Sequence, residues 1–282
     1  MPEGDTVFRA AAKLHRALAD QALTRAEVRW GTKSIPDVVG RRTLEVVPRG
    51  KHILHRIEGG ITVHTHLRME GTWRVVTDER LRPRELYDRS IRAVFAVQGR
   101  TAIGRRLGML DVLPTSREDM VVGHLGPDIL GPDWDPERAV AVLAADPRPI
   151  GEALLDQRLL AGIGTLYDAE TLFLEGIAPW TPADQLGSET VDRVIDRAHR
   201  LLMAGKEHDI QSTTGSRRRG EEVYVHARSG RPCRRCGTTV RVAMIGAAPY
   251  DRTMFYCPGC QGGLGPTDDG RPQAPLGHRR AH

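Results

Sequence analysis

The feature that most restricts what this chain can fold into is its cysteine pattern. Cys233-x-x-Cys236 and Cys257-x-x-Cys260 hold all the cysteines of a 282-residue sequence. Each Cys-x-x-Cys puts two thiolates on a tight turn facing one point, and two such pairs about twenty residues apart have the spacing of a four-cysteine structural zinc site. No open coordination position is implied, so catalysis at the metal is not expected. Two disulfides are the alternative, which an intracellular chain disfavours. Between the pairs, Thr238–Gly246 and Thr253–Tyr256 read as strands around Ala247-Ala248-Pro249, a β-hairpin clamped at its base. Arg228, Arg231, Arg234, Arg235, Arg241 and Arg252 crowd this module, which suits a phosphate or groove contact. Zinc ribbons also serve protein contacts.

The formal charge of +5 and a pI of 9.3 suggest an anionic partner. Only Lys13, Lys33, Lys51 and Lys206 of the 41 basic residues are lysines, which draws attention to any lysine in a special place. The N-terminus carries Glu3 and Asp5 with no apolar segment behind them, unlike a signal peptide. No apolar run approaches membrane-spanning length. The expectation is a soluble, intracellular, cytoplasmic protein with no membrane partner.

Along the chain, residues 4–19 read as an amphipathic helix, with Val7, Ala11, Leu14 and Leu18 at helical spacing. From 22 to 105 the pattern becomes short alternating runs (LTRAEVRW, TLEVVP, HILHRI, ITVHTHL, TWRVV, SIRAVFAV) separated by turn residues. Six or more such strands predict an antiparallel sandwich or barrel. A Pro- and acid-containing stretch follows Pro114, so the first domain is placed at 1–113 and a linker at 114–135. Helical patterning resumes over 136–204 (ERAVAVLAA, GEALLDQRLLAG, LYDAETLFLEG, ETVDRVIDRAHRLLMAG), and the helical domain is carried to 225. The cysteine module occupies 226–261. Residues 262–282, rich in Gly, Pro, Asp and Arg, are expected to be a disordered tail. The fold class is α+β: an N-terminal helix with an antiparallel β-sandwich, then a helical domain with a zinc β-hairpin.

Two stretches carry chemistry. In Leu154–Phe173, two helical segments are joined by Ala161-Gly162-Ile163-Gly164-Thr165. Its glycines permit a tight turn and open backbone N–H groups at the next helix N-terminus, a phosphate-binding geometry. An ordinary helix hairpin is the plainer reading. The second is the opening Met1-Pro2-Glu3-Gly4-Asp5-Thr6. Removal of the initiator Met exposes Pro2 as a secondary amine. An α-amino group titrates near ~8, against ~10.4 for lysine, and a helix N-terminus depresses it further. Such an amine attacking a sugar aldehyde gives an iminium. Alternatively, Pro2 merely suits the N1 position of a helix.

Taken together, the Met-Pro-Glu opening, the Leu154–Phe173 segment and the hairpin closing Cys257-Pro258-Gly259-Cys260-Gln261 resemble the formamidopyrimidine-DNA glycosylase and endonuclease VIII family, in order, over residues 2–261. The resemblance implies a helix–two-turn–helix over Leu154–Phe173 and a bifunctional DNA glycosylase/AP lyase of base excision repair. In it the Pro2 amine attacks C1′ of a damaged nucleotide, Glu3 shuttles protons, and β,δ-elimination nicks the strand without a metal or organic cofactor in the chemistry. It places Lys51 near the amine and the target phosphate, and His66, Thr165 and Arg252 on phosphates. Met69 and Leu107 match apolar wedges and Arg105 the arginine facing the orphan base. His52, His55 and His64 fall within strands and are read as structural.

Two departures stand out. Thr165 occupies a usual asparagine position, and Thr6 replaces a second glutamate common in the first turn. Leu107 also stands where many relatives carry phenylalanine. The short interval Glu207–Tyr224 and the Pro-Glu-Gly opening lean towards the endonuclease VIII branch and oxidised pyrimidines. The implied partner is double-stranded DNA with oxidised bases or abasic sites, or single-stranded DNA, bound by a monomer on a bacterial nucleoid, with one structural Zn2+ held by Cys233, Cys236, Cys257 and Cys260. An oxidised-purine glycosylase of the same fold and a non-catalytic damaged-DNA-binding protein are the competing readings.

Overall fold

Burying one face of an amphipathic helix against two sheets organises the first part of the chain. The computed structural model describes residues 2–276, which divide into two compact units between Leu125 and Gly126. In the first, helix α1 (Gly4–Leu18) turns Val7, Ala11, Leu14 and Leu18 inward, all buried, matching their helical spacing. Strands β1 (Arg25–Val28), β2 (Thr43–Arg49), β3 (His52–Ile57), β4 (Ile61–His66), β5 (Thr72–Thr77), β6 (Ile91–Val97), β7 (Arg100–Arg105) and β8 (Met109–Pro114) follow. They form two four-stranded antiparallel sheets, ordered β2-β3-β4-β8 and β1-β6-β7-β5. One core joins α1 to inward residues of both, among them Val46, Ile53, Val63 and Leu110 from the first sheet and Ala93, Phe95 and Ala102 from the second.

The outer face of the second sheet is covered as well, with Val76, Ile91, Val94 and Ile103 packed under Leu81 and Leu86. This explains why β6 reads as a nearly continuous apolar run. Strands β7 and β8 have no run of their own in the sequence reading. Gly104 interrupts β7 because a side chain there would strike Trp73 and Leu107, and Asp111 interrupts β8. Short helix α2 (Asp119–Val122) closes the unit within the stretch read as a linker.

The second unit contains α3 (Pro136–Ala144), α4 (Ile150–Ala153), α5 (Thr165–Glu175) and α6 (Ser188–Gly205), followed by the hairpin of β9 (Arg241–Ile245) and β10 (Arg252–Tyr256). α5 is buried over nearly its whole length, and with α6 it forms the centre of this unit's core. The helix expected over Gly151–Gly162 stops at Ala153. Beyond it, side chains take the backbone groups a helix would use. Asp156 accepts from the Arg158 N–H at 3.0 Å, while Gln157 donates to the Ile163 carbonyl and accepts from the Gly162 N–H, both at 3.0 Å.

A single buried carboxylate then ties the interval before the hairpin to α5. Glu170 accepts the backbone N–H groups of Tyr224, Val225 and His226 at 2.7–2.8 Å and the Thr213 hydroxyl. The disordered tail expected from Gly262 is corrected for its described part. Asp268 is ion-paired to the buried Arg241 and accepts from the Tyr256 hydroxyl at 2.6 Å, while the Gln273 amide bonds both the N–H and the carbonyl of Val242. Residues 277–282 lie outside the described residues. No described helix is long and apolar enough to cross a membrane.

Glu170→Ala would strand three backbone donors. At about 1–3 kcal/mol for each unsatisfied group, a loss of about 3 kcal/mol or more is expected. Calorimetry should record a Tm lower by about 6–12 °C. An unchanged Tm would show that the 211–226 segment does not depend on this carboxylate.

Candidate active site and metal centre

At the N-terminal end of α1, Glu3 is the N-cap residue and is fully buried, and Pro2 precedes it, half-buried. Pro2 therefore sits outside the helix rather than at N1. The expected processing concerns Met1, which lies outside the described residues. Glu3 makes no side-chain cap bond; its carbonyl accepts the Val7 N–H at 3.0 Å. Next to it Asp5, also buried, pairs with Arg9 at 3.0 Å, and Arg9 donates to the Thr6 hydroxyl at 3.1 Å. Thr6 thus joins an Asp5–Arg9 group that the sequence reading did not identify, although an acid and a base four residues apart on a helix are its signature.

The β2–β3 hairpin turns at Gly50-Lys51, with Gly50 at a φ of 56° and Arg49 paired to His52. Lys51 is half-buried at the tip, and His66 lies opposite His52 across the β3–β4 ladder. The Nδ1 of His66 accepts the Arg68 N–H at 2.9 Å, so in the neutral ring the proton is on Nε2, free to donate outward. Burial, then Lys51, pushes His66 down to about 4. It is consequently a neutral donor at pH 7. His55 is pushed down to about 3 by burial and bonds Thr43 at 2.9 Å, a structural role as expected.

Two loops beside His66 carry the other candidates of this unit. Gly108 donates to the His66 carbonyl at 2.9 Å and leaves room only for the Arg68 side chain against it, while Arg106 pairs with Glu70 at 3.3 Å. Arg68 and Arg106 both have left-handed backbones, at φ of 50° and 47°. Such strain in non-glycine residues concentrates at functional loops. Met69, next to Arg68 in the chain, is 65% exposed, a large apolar side chain offered to solvent. Arg105 is held at 3.4 Å by Asp88. Leu107 is corrected: it is 2% exposed and packed in the sandwich core, so it cannot serve as a wedge in this conformation.

In the second unit, Thr165 is the first residue of α5, after the N-cap Gly164, and is buried. Gly162 has a φ of 110° with Ile129 pressed against it, so the turn tolerates no side chain. Arg252 opens β10, is exposed, and its guanidinium bonds the carbonyls of Tyr250 and Asp251 at 2.8 and 3.0 Å. Most of the module's other arginines serve internal carbonyls. Arg228 bonds Tyr224 and Pro232, Arg234 bonds Gly220 and Val223, and Arg235 caps α5 at Phe173 and Leu174. Arg241 is in the buried Asp268 pair. Of these arginines only Arg241 is neutralised by a carboxylate among the described residues; the carbonyl bonds fix the direction of the others without removing their charge.

The four cysteines converge, with all Sγ atoms within 4.8 Å of one another. The Cys236–Cys257 and Cys233–Cys260 separations are 3.4 and 4.0 Å. A tetrahedral ion with metal–sulfur bonds of about 2.3 Å needs sulfur–sulfur edges of about 3.8 Å. Disulfides need about 2.05 Å. The cluster therefore fits one metal ion and not two disulfides. Gly259 lets the second turn close, since a side chain there would strike Thr238 and the Cys236 sulfur.

Comparison with known proteins places this geometry. Residues 1–111 match the formamidopyrimidine-DNA glycosylase N-terminal domain, and residues 125–216 match the H2TH domain of the same proteins. The chain is 49% identical over 276 residues to the "Probable endonuclease 8 2" of Streptomyces coelicolor, covering 96% of this chain and 98% of that one. It is 42% identical to a "DNA-(apurinic or apyrimidinic site) lyase" of Mycolicibacterium smegmatis, covering 93% and 99%. Among solved structures, formamidopyrimidine-DNA glycosylase of Lactococcus lactis bound to AP-site DNA is similar with a TM-score of 0.75 at 22% identity, over 92% of this chain and 99% of that one, a likeness of fold.

Native mass spectrometry is expected to find one divalent ion per chain. Cys257→Ser, which removes a buried ligand, should release that ion and lower Tm. A folded chain with no ion and four freely alkylated thiols would refute the metal assignment.

Proposed function

Because this chain belongs to the formamidopyrimidine-DNA glycosylase family, we propose that it is a DNA glycosylase and AP lyase working through the amine of Pro2. The observation that carries the reading is a buried Glu3 carboxylate at the N-cap of α1 directly after a half-buried Pro2. Once Met1 is removed, the neutral secondary amine attacks C1′ of the damaged nucleotide. The C1′–N bond breaks and the departing base takes a proton delivered by way of Glu3; the attacking nitrogen gives up its own proton, and the C1′–O4′ bond then breaks as O4′ is protonated, opening the sugar to an iminium. The resulting iminium draws electrons from the C2′–H bond as that proton is removed, expelling the 3′ phosphate; a second elimination expels the 5′ phosphate. Hydrolysis of the iminium frees the amine. No metal enters these steps.

The surrounding residues supply grip and geometry. Lys51 at its hairpin tip and His66 with its outward Nε2–H hold phosphates near the amine. Met69 fills the space left by an extruded base, which an exposed apolar side chain next to the strained Arg68 suits. Arg105 faces the orphan base, with Leu107 as its packed support rather than a second wedge. In the second unit the N-terminal end of α5 at Thr165, and Arg252 on the hairpin, take further phosphates. The four-cysteine ion is Zn2+, and its work is to hold that hairpin rigid.

The substrate proposed is double-stranded DNA carrying an oxidised pyrimidine or an abasic site, with single-stranded DNA a further substrate, acted on by a monomer at the bacterial nucleoid. What supports the pyrimidine preference is the interval 207–224. It is short, and Thr213 is pinned to Glu170, leaving no long loop to close over a purine. The bacterial relatives named for endonuclease 8 support the same branch.

Borohydride should trap a covalent complex with abasic duplex DNA, and Pro2→Gly should reduce trapping by at least about tenfold. Glu3→Gln should slow excision of thymine glycol by about 10²–10⁴-fold while abasic-site trapping falls less. Absence of trapping by a folded, Met1-free sample sinks the mechanism. Faster turnover of 8-oxoguanine than of thymine glycol reverses the substrate assignment.

A further inference from the structure

Behind Lys51 and His66 lies a chain of hydrogen bonds that the chemistry above does not use. On the face of the first sheet away from the sandwich core, β3 carries His52, β4 carries His64 and His66, and β8 carries Asp111. The ladders set His52 opposite His66 and His64 opposite Asp111. His64 is fully buried and His52 nearly so. The Nδ1 of His64 lies 3.0 Å from an Asp111 oxygen, and its Nε2 lies 2.7 Å from the Nδ1 of His52. The two rings are stacked, with centroids 5.0 Å apart. Lys33 donates to the Asp111 carboxylate and to the Leu110 carbonyl.

These bonds admit one assignment of protons. Asp111 pairs with Lys33 and only accepts, its carboxyl held below the usual range because the Lys33 and His64 hydrogen bonds outweigh burial. His64 must therefore donate from Nδ1, which leaves Nε2 as an acceptor, so His52 must donate from its own Nδ1. Burial, then His66, His64, His124 and Lys51, pushes His52 down to about 3, so its Nε2 remains a lone pair at neutral pH. His66 stands edge-on to His52 at 4.8 Å, and His124 at 6.1 Å. The ring plane of His52 is thus fixed from behind by a charged anchor. Its edge fixes the place of His66, whose own tautomer is set separately by the Arg68 N–H.

We propose that Asp111 and His64 act through His52 as positioning residues for the phosphate-gripping end of the β2–β3 hairpin and β4. The chain Lys33–Asp111–His64–His52 holds the residue next to Lys51 and braces the ring of His66, so that His66 presents Nε2–H to a phosphate without rearranging. This rests on the reading of Lys51 and His66 as phosphate contacts. Neutral histidines satisfied by one another could otherwise be plain packing. Two features argue against that: the polarity runs unbroken from an ion pair to the ring beside the candidate contact, and an apolar side chain at 64 would fill the same space without needing Asp111 or Lys33.

The test is a double-mutant cycle between positions 64 and 66, read by binding to a duplex with a stable abasic-site analogue. His64→Leu is expected to weaken binding about tenfold, with His66→Ala adding little on top of it, because both remove the same contact. His64→Gln should restore binding to within about twofold, since an amide can donate to Asp111 and accept from His52. Asp111→Asn breaks the anchor at the half-exposed end without opening a cavity and serves if His64→Leu does not fold. Nitrogen-15 NMR should show His64 and His52 protonated on Nδ1 and His66 on Nε2, and Asp111→Asn should shift His52 towards its other tautomer. Wild-type binding with additive losses at 64 and 66, no rescue by Gln, or the opposite tautomers overturns this inference alone. Failure of the folded wild type to bind the duplex overturns the reading of the site and this role with it.

Discussion

The site depends first on the burial of one face of α1. Val7, Ala11, Leu14 and Leu18 are locked between two sheets, so the N-terminal end of that helix has a fixed address. A chain terminus is ordinarily the loosest part of a protein. Here it is the start of a core helix, and the residue after Pro2 is buried completely. The nucleophile proposed for Pro2 would need that fixity, since reaction depends on a well-oriented approach. The same placement puts Pro2 at the positive end of the helix, where a cation is disfavoured.

Rigidity is distributed unevenly around that point. The sheets supply fixed positions for Lys51, His66 and the histidine chain, while the two loops carrying Met69 and Arg105 are tight turns with left-handed arginines. Arg68 and Arg106 are strained, and the Gly108–His66 bond and the exposed Arg106–Glu70 pair lie in the same two loops. A loop built this way keeps an apolar side chain in water, where it gains nothing, until something covers it. In the second unit the comparable anchor is Glu170, whose four bonds hold the approach to the hairpin, with Asp268 fixing the hairpin from its other side.

The charges sort into two populations. Arginines that crowd the cysteine module in sequence are mostly consumed by carbonyls and one buried carboxylate, because irregular backbone must find partners wherever helices and strands do not provide them. Those carbonyl bonds orient the guanidinium groups but leave their charge, and Arg231, Arg234, Arg235 and Arg252 remain exposed.

Much was legible in the residues. Helical spacing located α1, alternation located most strands, the Cys-x-x-Cys spacing foretold a four-sulfur site, and the resemblance carried by three separated motifs foretold the family. These are signals of local periodicity or fixed spacing, and they need no knowledge of what packs where. What only the tertiary structure decided depends on contacts between distant segments. Leu107 looks like a wedge by motif, but a core position claims it. Gly151–Gly162 looks helical, yet Asp156 and Gln157 divert the backbone. The residues after Gly262 look structureless, but Asp268 and Gln273 find partners in the hairpin. His64 looks like an ordinary strand residue and Asp111 belongs to no predicted strand until the β4–β8 register sets them side by side. Sequence alone determined α1, most of the strands, the four-sulfur spacing and the family. The fold decided which side chains are free to act, because burial and hydrogen-bond pairing are properties of neighbours that the sequence holds far apart.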